Sequence, residues 1–286
     1  MDAHARKRLL TAGGAILVVV AVVVAFVVFQ QPGTPGDGGA TDASTANAAP
    51  LATTLAQVIG QVTTIPAAVF DAVGPGDATS APTTVSGSPL VSGGKPVVLY
   101  IGAEYCPYCG AQRWAMISAL GRFGTFTGLR TIRSAAASGS GGAEPYPHTP
   151  TWTFVHATYT SKYLSFTAVE MNTNIPDKKT GGYTTLQTLT GQEQALFGKY
   201  DATYQGAIPF IDFGDKYVSV GASYDPGVLS GLTWSRIAAD MHDPGTAVAK
   251  AVLGAANYLT AAICGLTNDQ PATACTPTVQ ALRAKI

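Results

Sequence analysis

Residues 97–123, VVLYIGAEYCPYCGAQRWAMISALGRF, constrain the fold more than any other stretch of the chain. A β-rich apolar run (Val97, Val98, Leu99, Tyr100, Ile101) leads into Cys106-Pro107-Tyr108-Cys109, and a helical pattern starts at once. A Cys-x-x-Cys pair at a strand-to-helix junction points to thiol–disulfide chemistry, for an electrostatic reason. The helix N-terminal amides converge on the first cysteine and stabilise its thiolate, which is the nucleophile. The second cysteine, one turn on, attacks the resulting mixed disulfide and releases the product. Cys106 is therefore read as attacking and Cys109 as resolving. A zinc site would need a second pair of similar spacing, and the other cysteines, Cys264 and Cys275, are widely spaced and far down the chain. A purely structural bridge would usually close a longer loop.

The chain has 286 residues, enough for one sizeable core with extensions. Its net charge is zero and only 12% of residues are charged, so nothing suggests a nucleic-acid surface. Residues 9–29 contain no charge and are about long enough to cross a bilayer. Arg6, Lys7 and Arg8 stand just before them. The positive-inside rule then places residues 1–8 in the cytoplasm and everything after the anchor outside. A cleaved signal peptide is the alternative, but its apolar region is normally shorter and followed by small residues; here Gln30, Gln31 and Pro32 follow. The outside is oxidising, so the four cysteines divide into an active pair and a structural disulfide, Cys264 with Cys275, around the turn-rich loop GLTNDQPATA.

Residues 30–50 read as a flexible linker. Residues 51–89 read as an N-terminal extension, with a helix over 54–63 and a Gly/Pro/Ser-punctuated loop over 74–89. The main domain is expected over 90–286. Within it the pattern predicts a strand at 96–101, a helix at 109–122, and the next strand at 129–134. Further strands are expected at 152–159 and 164–170, and a helix at 190–200. A hairpin follows at 207–213 and 216–221, then helices at 234–241 and 246–264. This order, β-α-β, helical insertion, β-β-α, matches an α/β thioredoxin-like fold with a helical C-terminal extension. In such folds a cis proline at the start of the penultimate strand packs beside the cysteines. Pro209, after Ile208, holds that place and is expected to be cis, leaving a backbone edge on which an extended substrate can pair. Tyr105, Pro107 and Tyr108 flank the sulfurs and join Ile208 and Pro209 as the expected substrate-contacting surface. Glu104 is read as a solvated surface carboxylate, Arg113 as a helix-surface charge, and His148 and His156 show no ligand spacing. No metal or cofactor is called for.

The run Tyr100-Ile101-Gly102 to Tyr105-Cys106-Pro107-Tyr108-Cys109, then Gln112-Arg113-Trp114 and Leu120-Gly121-Arg122-Phe123-Gly124, resembles the domain-of-unknown-function 929 family. Pro150-Thr151-Trp152-Thr153-Phe154, Tyr159-Thr160-Ser161-Lys162-Tyr163 and Ile208-Pro209-Phe210-Ile211 extend the likeness, which covers roughly 90–275. The resemblance implies thioredoxin-like proteins of archaea and actinobacteria; the family carries no assigned activity. The expectation is a membrane-anchored, extracytoplasmic thiol–disulfide oxidoreductase. Its partners would be thiols and disulfides of exported proteins, together with a separate membrane redox partner. Alternatives are a thioredoxin-like copper chaperone, which usually carries Cys-x-x-x-Cys and a distant histidine, and a non-catalytic binding module.

Overall fold

The computed structural model of the protein describes residues 50–137 and 142–286. The expected cytoplasmic lead (1–8), anchor (9–29) and all but the last residue of the linker (30–50) lie outside the described residues.

The N-terminal extension holds two short helices, α1 (Leu55–Thr63) and α2 (Ala67–Val73). Helix α1 starts at a capping box: the Thr54 hydroxyl accepts from the Gln57 amide while the Gln57 side chain returns to the Thr54 amide. Its buried residues, Val58 and Val62, are four apart and so face the core together. The expected loop at 74–89 contains β1 (Thr83–Thr84), which pairs with a core strand; β2 (Val91–Ser92) and β3 (Lys95–Gly102) follow. Helix α3 (Pro107–Gly121) begins two residues earlier than its apolar pattern suggests, because Pro107 suits the first helical turn and Cys106 caps it.

After α3 the chain departs from the expected β-α-β unit. Strand β4 (Gly124–Thr127) is followed by β5 (Arg130–Arg133), the strand expected at 129–134. It pairs with β6 (Pro150–Thr153) in a separate two-stranded sheet. The apolar stretch 152–159 is not one strand. It breaks between β6 and β7 (Thr158–Ser161), and β7 pairs with β4. Periodicity cannot see that break: His156 takes a left-handed conformation, with φ at 63°, inside a run of β-forming residues. The parallel neighbour of β3 is β8 (Ser165–Glu170), with Val97 opposite Ser165 and Gly102 opposite Glu170.

Between β8 and the terminal hairpin lie β9 (Asn172–Asp177) and β10 (Gly182–Thr185), a second hairpin where the sequence shows only polarity, and then helix α4 (Gly191–Tyr204). Strands β11 (Phe210–Phe213) and β12 (Tyr217–Val220) turn around Gly214-Asp215, both with positive φ, and lie antiparallel to each other. Strand β11 is also antiparallel to β3, which therefore sits between β8 and β11 at the centre of a six-stranded mixed sheet. A short 3-10 turn (Pro226–Leu229), α5 (Trp234–Asp240), α6 (Ala247–Leu266) and α7 (Pro277–Arg283) complete the chain.

The pleat of β3 divides the core. Val98 and Tyr100 face the larger cluster, with α3, α6 and the N-terminal helices; Val97, Leu99 and Ile101 face a smaller one, against Leu196, Phe197 and Tyr200 of α4. Helix α6 is long and apolar enough to cross a membrane, but 83% of its most apolar window is buried in the fold, as expected of a core helix. Its C-terminal end is tied by the Cys264–Cys275 disulfide to the start of α7.

Candidate functional site

Strand β3 ends at Gly102, and residues 103–106 turn the chain into α3. Cys106 is the N-cap of that helix: its Sγ accepts from the Cys109 amide at 3.2 Å. The two cysteines are unbridged and both buried, Cys106 with 5% exposure and Cys109 with none. Their acidities diverge. The Cys109 side chain, the Cys109 and Tyr108 amides and the Arg113 charge hold Cys106 below the ordinary thiol value, against the pull of burial. Burial pushes Cys109 well up, and its hydrogen bond to Cys106 adds to that. The two thiols of the pair thus differ in acidity, Cys106 the more acidic and Cys109 the less.

The substrate-contacting residues expected from the sequence are gathered at this end of the sheet. The Ile208–Pro209 peptide is cis. Phe210 pairs with Ile101, so the buried Pro209 precedes β11 at the level where β3 ends and the cysteine turn begins. Ile208 is half-buried. Pro107 is buried inside the first helical turn and Tyr108 is 39% exposed, its ring edge-on to Tyr146 at 5.7 Å. Tyr105 is half-buried and stacked on Tyr183 of β10 at 4.0 Å; burial and the nearby cysteines push its hydroxyl up to about 12. Glu104 is half-buried, with its amide donating to Asn172 on β9 at 2.9 Å. His148 and His156 are exposed on loops.

Arg113 is the clear correction. It is fully buried, with Nε and Nη2 on the two oxygens of the equally buried Glu170 at 2.8 and 2.6 Å, and with Nη2 also on the Ala103 carbonyl at 2.7 Å. Burial opposes its charge, but Glu170 outweighs burial and holds the guanidinium above its usual value; burial in turn raises the Glu170 carboxyl. A faint signal existed: Arg113 is the one charged residue of α3 and stands beside Trp114, and Glu170 closes a strand rich in β-branched and aromatic residues. The remainder of α3 is fixed by polar ties from its neighbours. Tyr224 donates to the Ala111 carbonyl at 2.6 Å, Thr151 to the Gly110 carbonyl at 2.7 Å, and Trp114 to the Pro150 carbonyl at 2.8 Å. Tyr183 and Tyr146, which complete the aromatic rim, lie in segments where nothing in the sequence marks them as near the cysteines.

Fold and site together define an α/β protein with an unbridged cysteine pair at the N-terminus of a buried helix. The chain belongs to the family described as domain of unknown function (DUF929), whose model matches residues 81–265. No curated protein and no solved structure matches the chain.

Proposed function

We propose that the protein is a thioredoxin-like thiol–disulfide oxidoreductase, anchored in the cell membrane by residues 9–29, with its N-terminus cytoplasmic and its cysteine pair outside. The observation that carries this reading is the pairing of a helix-capping Cys106, lowered in pKa, with a buried and protonated Cys109. The thioredoxin-like assignment is supported by the parallel β3–β8 pair around α3 followed by the antiparallel β11–β12 hairpin and α6.

In the exchange the Cys106 thiolate attacks one sulfur of a substrate disulfide, forming a mixed disulfide and releasing the first substrate thiolate. Cys109 then attacks Cys106 Sγ, closing the Cys106–Cys109 disulfide and releasing the second thiolate. The substrate is reduced and the protein oxidised by two electrons; the reverse sequence oxidises a substrate dithiol. Tyr105, Pro107, Tyr108, Ile208 and Pro209 would contact the extended substrate chain. Exported proteins are the substrates, and a membrane redox partner resets the pair.

Equilibration of the full chain with glutathione buffers tests this directly. A potential near about −120 mV makes it an oxidant of exported proteins; one near about −270 mV makes it a reductase supplied with electrons across the membrane. Cys106→Ser is expected to abolish exchange, and retained turnover in that variant refutes the mechanism.

A further inference from the structure

Behind the cysteines lies a buried ion pair that this exchange does not use. Burying Arg113 and Glu170 gains little stability, since desolvation cancels most of their attraction. Their placement is more telling. Arg113 follows Cys109 by one helical turn, and helix side chains tilt toward the N-terminus, so its guanidinium runs back toward the cysteine turn. It reaches the Ala103 carbonyl, which also accepts from the Cys106 amide at 3.3 Å. Glu170 and Ala103 occupy Nε and Nη2, while Nη1 is buried without a hydrogen-bond partner among the described residues. The Tyr100 hydroxyl is in the same position; its ring lies 5.8 Å from the guanidinium, and its oxygen fills the space a Cβ on Gly102 would take. Spare buried donors are costly unless something uses them.

The geometry points to Arg113 as the residue that stabilises the Cys109 thiolate during resolution, the charge of its guanidinium, with Nη1 unpartnered, acting on Cys109 Sγ once the proton has left. The inference rests on the thiol–disulfide reading and deepens it. The step balances: Cys109 first loses its proton to water, its electron pair forms the bond to Cys106 Sγ, and the mixed-disulfide bond breaks toward the substrate sulfur, which leaves as a thiolate and is protonated from solvent. The titratable groups around the site are Tyr100 on β3, Glu104, Tyr105 and Cys106 in the turn, Glu170 on β8, Tyr183 on β10 with its partner Glu144, and Arg113. Arg113 is the only cation of that set, and Glu170 partly masks it. Arg113 and the Ala103 amide oppose the burial that keeps Cys109 protonated.

The masking gives a test with opposite signs. The reduced full-length chain is mixed with oxidised glutathione, and the decay of the Cys106–glutathione mixed disulfide is followed by acid quench and mass spectrometry across pH. Glu170→Gln unmasks the guanidinium and should move the inflexion of the resolution rate to lower pH. Arg113→Gln with Glu170→Gln, which leaves no buried charge unpaired, should move it to higher pH. For each pH unit of upward shift, about tenfold less thiolate is partly offset by higher nucleophilicity, so resolution below the inflexion slows about threefold. Arg113→Lys, keeping the charge, should restore most of the wild-type profile and serves if the double variant does not fold. A merely structural pair would perturb both glutamine variants in the same direction. Normal wild-type exchange with the Glu170→Gln inflexion unmoved or raised overturns the role of Arg113 alone; absence of any mixed disulfide in the wild-type chain overturns both this role and the reading beneath it.

Discussion

Asp212, on the central strand β11, is fully buried; one of its oxygens accepts the Asp215 amide at 2.7 Å, and the other has no partner among the described residues. Burial raises its carboxyl to about 6. The folded value lies above the roughly 3.9 of an unfolded aspartate, so the native state binds its proton more tightly. The associated stability is present in full at low pH and is lost as pH rises through about 4 to 6. Asp212→Asn retains an oxygen for the Asp215 amide and removes the ionisation. It is expected to raise stability at pH 7 by about 1–3 kcal/mol and to flatten the difference between pH 4 and pH 6. Urea unfolding of both chains across that range checks this; a variant no more stable than wild type at pH 7 contradicts it. The same contrast of burial against hydrogen bonding separates Cys106 from Cys109, and at both places it is the environment, not the residue type, that sets the chemistry.

At the level of elements, the helices owe their places to close approaches that side-chain pattern does not reveal. Helix α6 lies against the turn after α2 so tightly that a Cβ on Gly254 would land on the Pro75 carbonyl. Gly254→Ala is expected to cost about 1–3 kcal/mol through overpacking. Gly60, inside α1, has open space around its Cβ direction. There alanine should add about 0.5–1 kcal/mol by helix propensity. Thermal unfolding of the two variants should therefore shift in opposite directions. The strand β3, the helix α3 and the β11–β12 hairpin were legible in the sequence, because a short apolar run, a cap and a Gly-Asp turn are local signals. The two small sheets between α3 and β8 were not. Which of several β-forming segments joins β3 is decided by tertiary pairing, and β5 and β8 are alike in local character. The cysteine pair was legible for the same local reason, and the cis Pro209 from its place before the hairpin in the expected element order. The Arg113–Glu170 pair was not: an arginine in a helix reads as surface until the partner, 57 residues away, is known to face it.

Across the whole molecule, the chain end is held by one covalent tie. The Cys264–Cys275 disulfide fixes α7 to the end of α6, and Arg283 adds an ion pair to Asp269 in the intervening loop. Replacing both cysteines by alanine is expected to lower stability by about 2–3 kcal/mol, the loop-closure value for a span of this size. Denaturant midpoints check the loss, and exchange at Cys106 should survive, since the bridge lies on separate elements. The three tryptophans are unevenly disposed: Trp114 and Trp152 are fully buried and meet edge to face at 5.0 Å, while Trp234 is only partly covered. Trp114 rides on the helix that carries Cys106 and Cys109, and Trp152 on the strand beside it. The protein therefore carries its own optical gauge. The locked indole pair contributes to its near-ultraviolet dichroism and to blue-shifted emission, and that contribution is lost when the helix bearing the thiols loses its packing.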